Sequence, residues 1–113
     1  MNLSENRIIQ ECFIWHHNTY PDKRGLFFKI KNDGLKNLRT AISDKATGLI
    51  PGVADTCLIH KGKAFFFEFK TDKGKQSESQ KKWQEIIIND GGYYFLIKNI
   101  EQFKNLINMI YGK

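Results

Sequence analysis

The sequence predicts an α/β domain built on a mixed four-stranded sheet flanked by helices, in the order α-β-α-β-β-α-β-α. Three observations carry that prediction. Residues 53–59 and 63–70 are rich in β-forming side chains and flank a turn at His60-Lys61-Gly62, which reads as a β-hairpin. Apolar residues recur at helical spacing near both ends of the chain. A helical run after the hairpin leads to one more apolar strand, so that strand is reached by a crossover. Such a crossover is expected to be right-handed and to leave the last strand parallel to its partner.

Each element has its own justification. Asn2-x-x-Glu5 can serve as a capping box for a first helix. In it Ile8, Cys12 and Trp15 form one stripe, with Ile9, Phe13 and His16 beside it. Glu11 stands one turn from Trp15 at the edge of that stripe, either an exposed helix carboxylate or a further acid leaning towards the central hairpin. His16 and His17 diverge on a helix, which favours a helix-end or phosphate-contacting pair over a chelating one. Pro21 and Gly25 close the segment as a loop. Leu26 to Lys31 is the first strand, with Phe28 and Ile30 alternating against Lys29 and Lys31. Asn32-Asp33-Gly34 turns the chain into a short helix carrying Leu35, Leu38, Ala41 and Ile42, which ends near Gly48. Pro51-Gly52 breaks it and launches the hairpin.

After Lys70, Thr71 to Gln76 reads as a polar loop, and Ser77-x-x-Gln80 is a capping-box pattern. Trp83, Ile86 and Ile87 give the following helix an inner face until Asn89-Asp90-Gly91-Gly92 stops it. Tyr93 to Ile97 is the final strand. Asn99-x-x-Gln102 caps a last helix whose Phe103, Leu106, Ile107 and Ile110 form a stripe.

The hairpin register has a chemical consequence. With a two-residue loop (Lys61-Gly62) or a four-residue one (His60 to Lys63), antiparallel pairing sets Asp55 directly opposite Glu68. Lys70 then shares their face, and Phe65, Phe67 and Phe69 line the other. A three-residue loop without a bulge would put the carboxylates on opposite faces. Two carboxylates and an ammonium in one cluster suit a hard divalent cation such as Mg²⁺, which is typically held by one or two carboxylates, waters and a substrate phosphate. A cross-strand ion pair on a solvated sheet edge has the same spacing.

Composition sets the bounds. A chain of 113 residues with 41% hydrophobic and 13% aromatic content fits one folded domain spanning residues 1–113. No apolar run approaches the ~20 residues a membrane span needs, and the N-terminus lacks a signal-peptide core, so a cytoplasmic protein is expected. Cys12 and Cys57 are isolated, which argues against a zinc site or a disulfide framework. The net charge of +6 favours an anionic partner. Lys61, Lys63, Lys70, Lys73, Lys75, Lys81 and Lys82 thicken around the hairpin, either as nucleic-acid contacts or as a solubilising surface.

A helical glutamate, Gly-x-x-Asp entering a strand, Glu-x-Lys ending the next, a glycine turn and a helical glutamine together resemble the PD-(D/E)XK nuclease superfamily. Within it the pattern is most similar to small stand-alone VRR-NUC domains. The matching residues are Glu11, Asn32, Gly52, Asp55, Glu68, Lys70, Gly74 and Gln80, and with the last strand the likeness covers about four-fifths of the chain. Lys61-Gly62-Lys63, Glu68-Phe69-Lys70 and Gly91-Gly92 also resemble RecU-type Holliday junction resolvases. Two positions depart from the pattern: Ala54 stands where the family usually has proline, and Ile97-Lys98-Asn99 where it has Val-Arg-Arg.

The resemblance implies a restriction-endonuclease-like core. It implies that Asp55 and Glu68 bind Mg²⁺ or Mn²⁺ with the main-chain carbonyl of Phe69, and that Lys70 orients and activates the attacking water. Glu11 would be an auxiliary acid, acting directly or through water, and Gln80 would steady Lys70 or a phosphate. The implied function is a structure-selective DNA endonuclease acting on branched or four-way junctions, most readily as a homodimer. A nickase or restriction-like enzyme, or a DNA-binding module without turnover, are the alternatives.

Overall fold

Ten residue pairs in register join the central strands, and they make the predicted hairpin the middle of the sheet. The computed structural model describes residues 3–30, 42–43 and 45–113. Its elements are α1 (Leu3–Thr19), a 3-10 turn (Pro21–Lys23), β1 (Phe27–Lys29), β2 (Thr56–His60), β3 (Lys63–Phe69), α2 (Glu78–Asn89), β4 (Tyr93–Ile97) and α3 (Ile100–Ile110). The sheet order is β1-β2-β3-β4. The first two pairings are antiparallel and β3–β4 is parallel, as a helical crossover requires. The expected helix between β1 and β2 falls partly outside the described residues. So do Asn2 of the first cap, Lys31, the Asn32-Asp33-Gly34 turn, Leu35, Leu38 and Ala41; Ile42 and Ser43 are helical.

The two faces of the sheet carry different layers. Phe65, Phe67 and Phe69 alternate onto one face and are buried there with Leu58, Ile97 and Phe27. That face packs on α1 and α3: Phe103 of α3 meets Phe67 edge-on at 5.3 Å, and Phe13 of α1 stacks on Phe27 at 4.0 Å. Phe66 and Tyr94 point the other way, onto Trp83 of α2. β1 is shorter than expected and its inward residue is Phe27; Phe28 is 42% exposed. The reason is pairing: Phe27 opposes Leu58, which fixes it to the core face, and Phe28 opposes Cys57 on the other.

His16 is a core residue, its ring nitrogen 2.7 Å from the Tyr111 hydroxyl, and burial lowers its pKa. His16 and His17 lie in the last turn of α1, as the helix-end alternative expects, whereas a phosphate contact does not suit His16, whose imidazole is bonded to Tyr111 at the end of α3. No helix among the described residues is long and apolar enough to cross a membrane.

Local chemistry explains how the elements end. Lys61 and Gly62 both have positive φ (51° and 79°), the backbone signature of a two-residue hairpin turn. Ser77 and Gln80 form the expected reciprocal cap on α2. Gly52 has φ +83°, and a β-carbon there would lie 2.2 Å from the Ser79 carbonyl oxygen. The loop entering β2 thus lies directly on the backbone of the first turn of α2, an approach only glycine permits.

Gly62 has a similar φ but open space around it. Gly52→Ala should therefore destabilise the fold by at least about 2 kcal/mol, clearly more than Gly62→Ala, as read from urea unfolding midpoints. Equal shifts for the two variants would show that the backbone contact is not a constraint.

Candidate functional site

The turn decides the register, and the register decides the site. Because Lys61-Gly62 is a two-residue turn, His60 opposes Lys63 and Thr56 opposes Phe67. One step further along the same ladder, Asp55 and Glu68 face each other on the α2 side of the sheet. Asp55 is anchored by the main-chain N–H of Phe69, which donates to its Oδ2 at 2.8 Å. Glu68 is 1% exposed, and its Oε1 has no hydrogen-bond partner among the described residues.

Glu68 Oε2 is the hub of the remaining contacts. Gln80 Nε2 donates to it at 3.0 Å, while Gln80 Oε1 accepts from the Ser77 N–H at 2.8 Å. The amide that caps α2 therefore also holds a site carboxylate, and both ends of that amide are fixed. Gln80 is expected to steady Lys70 or a phosphate; the site side chain it meets is Glu68, which itself pairs with Lys70. Lys70 Nζ is 3.6 Å from the same Glu68 oxygen and 4.0 Å from Glu5 Oε1.

Glu5 is the helical acid at the site. Glu11, the expected one, is exposed and paired with Arg7 across one helical turn at 3.8 Å. The physical reason is helix phase. Glu5 falls on the stripe of Ile9, Cys12 and His16, the buried line of α1, whereas Glu11 lies off it. A carboxylate on that apolar line was the available signal, hidden because Glu5 also completes a capping pattern.

Electrostatics follow from burial. Burial, and after it the charge of Asp55, raise the pKa of Glu68 to about 8 against the opposing effect of Lys70. Asp55 is also raised, chiefly by burial. The two carboxyls are near enough to share a proton, so the pair resists carrying two negative charges without a compensating cation. A hard divalent ion fits this donor set: two carboxylates, one with an orphaned buried oxygen. Among the described residues no three His, Cys, Asp or Glu side chains form a metal cage. An ion here would keep open positions for water and substrate oxygens, as Mg²⁺ sites do. At Phe69 it is the amide, bonded to Asp55, that has a defined role in the structure.

The basic residues divide into two groups. Lys61 and Lys63 sit at the hairpin tip, about 16 Å along the strand from Glu68. Lys73 and Lys75 lie on the loop that leaves the acidic end, and Lys81 and Lys82 on the first turns of α2 beside Gln80; all four are exposed. One network had no sequence signal. Gln76 Nε2 donates to the Tyr94 hydroxyl at 3.0 Å and to Gln84 Oε1 at 2.9 Å, joining the loop, α2 and β4 next to Glu68. Glu68 and Asp55 contribute to the raised pKa of Tyr94, after burial. Long-range side-chain bonds of this kind carry no periodic pattern.

The raised pKa of Glu68 makes stability pH-dependent. The folded chain keeps a proton that the unfolded chain releases near 4.5, so stability falls as pH rises from about 4.5 to about 8. Urea unfolding in EDTA across that window should show this loss in the wild type and a flatter profile in Glu68→Gln. Identical slopes would mean that the buried carboxyl does not titrate as described.

Neither a protein-family model nor a curated protein matches the sequence. Solved structures do. A protein described as a VRR_NUC domain protein superposes with a TM-score of 0.76 at 18% identity, covering 97% of this chain and 89% of that one. A second, described as a VRR_NUC domain, gives a TM-score of 0.62 at 19% identity, covering 95% and 97%. At such identities the likeness lies in the fold: the chain has the mixed-sheet α/β fold of VRR-NUC domains.

Proposed function

We propose that this chain is a metal-dependent, structure-selective DNA endonuclease. The observation that carries the reading is the buried Asp55–Glu68 pair, with one oxygen orphaned and Lys70 alongside. A buried carboxylate pair that its neighbours satisfy only in part costs folding free energy, so its place on a structurally over-determined hairpin points to a ligand that offsets that cost. The VRR-NUC fold and the net charge of +6 support DNA as that ligand's companion.

The residues divide the work as follows. Asp55 and Glu68 would hold Mg²⁺ or Mn²⁺, and the Phe69 carbonyl would offer a third oxygen. When bound, the ion supplies Lewis-acid stabilisation of the phosphodiester and a more acidic water. Lys70 orients the attacking water and faces the phosphate oxygens on which negative charge grows. Glu5, like Glu68, pairs with Lys70 and helps to hold its ammonium. Gln80 keeps Glu68 in position through its bond to Oε2. Water adds at phosphorus as the bond to the 3′-oxygen breaks, leaving a 5′-phosphate and a 3′-hydroxyl. Lys73, Lys75, Lys81 and Lys82, at the acidic end of the sheet, track the DNA backbone, which positions the strand without reading sequence. Branched DNA, including four-way junctions, is the proposed substrate class, and a two-fold dimer would present two sites for symmetric cutting.

The test is a panel of four-way junctions, flaps, single strands and plain duplex, each with and without Mg²⁺ or Mn²⁺. Cleavage should need the metal, and both Glu68→Gln and Lys70→Ala should lower its rate at least about 100-fold. Glu11→Ala should stay within about two-fold of wild type, because Glu11 is exposed and its ion pair is with the exposed Arg7. Metal-independent cleavage, or full activity in either site variant, would remove the mechanism.

A further inference from the structure

Between the loop entering β2 and α2, which meet at Gly52 and Ser79, lies a groove of about 470 Å³. Its walls are Ile50 and Pro51 from the loop entering β2, and Ser79, Lys82, Trp83 and Ile86 from α2. Ile86 is 61% exposed and Ile50 50% exposed, so two large aliphatic side chains face water across an aromatic floor. Trp83 is fixed by its edge-on contact with Phe66 at 4.9 Å, which makes its ring a rigid platform.

The charges around the groove are not balanced. Glu78, also on its rim, is tied to Lys81 at 3.7 Å. Lys82 has no ion-pair partner among the described residues. An occupant with a flat apolar body and an anionic backbone matches that arrangement. Position matters as well. Ser79 on the groove wall is followed by Gln80, whose amide holds Glu68, so the groove and the acids share the first turn of α2.

We infer that this groove takes an unpaired nucleotide adjoining the scissile phosphate, its base against Trp83 and the aliphatic walls and its phosphate towards Lys82. Apolar and aromatic surfaces accept any base face, whereas a base inside a continuous duplex has no free face to offer. The inference rests on the nuclease reading and deepens it: a flap, gap or junction arm would be selected by its unpaired nucleotide, without sequence readout.

The experiment compares binding of two fluorescein-labelled DNAs to the full chain in Ca²⁺, without Mg²⁺ or Mn²⁺. One is a continuous duplex and the other is the same duplex with a single-stranded flap. The wild type should prefer the flapped DNA about 10-fold. The variant Ile50→Ser/Ile86→Ser changes only exposed side chains and should bring that ratio close to one, with duplex affinity unchanged. Lys82→Ala should weaken flap binding more than duplex binding. Equal affinities in the wild type, or a preference that survives the double variant, would overturn the groove's role. So would a double variant that alters the sedimentation of DNA-free protein while leaving both DNA affinities intact, which would mark a protein contact. If junctions or flaps are cut in Mg²⁺ but the ratio fails to move, only the groove inference falls. If no DNA is bound or cut, the nuclease reading falls with it.

Discussion

Two carboxylates held face to face in a nearly dry place set the terms for the rest of the molecule. Asp55 and Glu68 are forced together by hairpin register, and the chain completes only part of what they require. The Phe69 amide satisfies one oxygen of Asp55, and Gln80 with Lys70 satisfies one oxygen of Glu68. The remaining Glu68 oxygen has no partner among the described residues. Raised pKa values for both acids express the same deficit: without a cation, the pair is more stable holding a proton.

The scaffold around that pair is stiff for identifiable reasons. On one side the sheet rests on an aromatic core in which Phe67, Phe69 and Phe103 are fully buried. On the other, α2 is fastened to the site at two neighbouring residues. Ser79 receives the backbone of Gly52, and Gln80 reaches Glu68 while capping its own helix. Displacing α2 would therefore disturb the carboxylate, and displacing the loop before Asp55 would disturb α2. Such over-determination is what holds a buried charged pair that would otherwise relax.

Electrostatics give the site a direction. The acidic end of the sheet is bordered by Lys73, Lys75, Lys81 and Lys82, and the hairpin tip with Lys61 and Lys63 lies at the other end. On the proposed reading, a polyanion drawn to the first group would meet both the carboxylates and the apolar groove at Trp83. Shape and unpaired bases, in place of base-edge hydrogen bonds, would then be the features such a surface reads.

The strands, the turn and the caps were legible in the sequence because each depends on local rules. Alternation in 63–69, the Lys61-Gly62 turn and the Ser77–Gln80 and Asn99–Gln102 pairs all specify structure within a few residues. Register follows from turn length alone, which is why the opposition of Asp55 and Glu68 was foreseeable. Tertiary structure decided what local rules leave open. It chose Glu5 over Glu11, because only the docking of α1 reveals which side of that helix meets Lys70. It turned Phe27 inward in place of Phe28, because a three-residue edge strand takes its phase from Leu58. It gave Gln80 to Glu68, and joined Gln76 to Tyr94, across 12 and 18 residues of sequence. Local periodicity tells a side chain which way to point; only packing determines what it finds there.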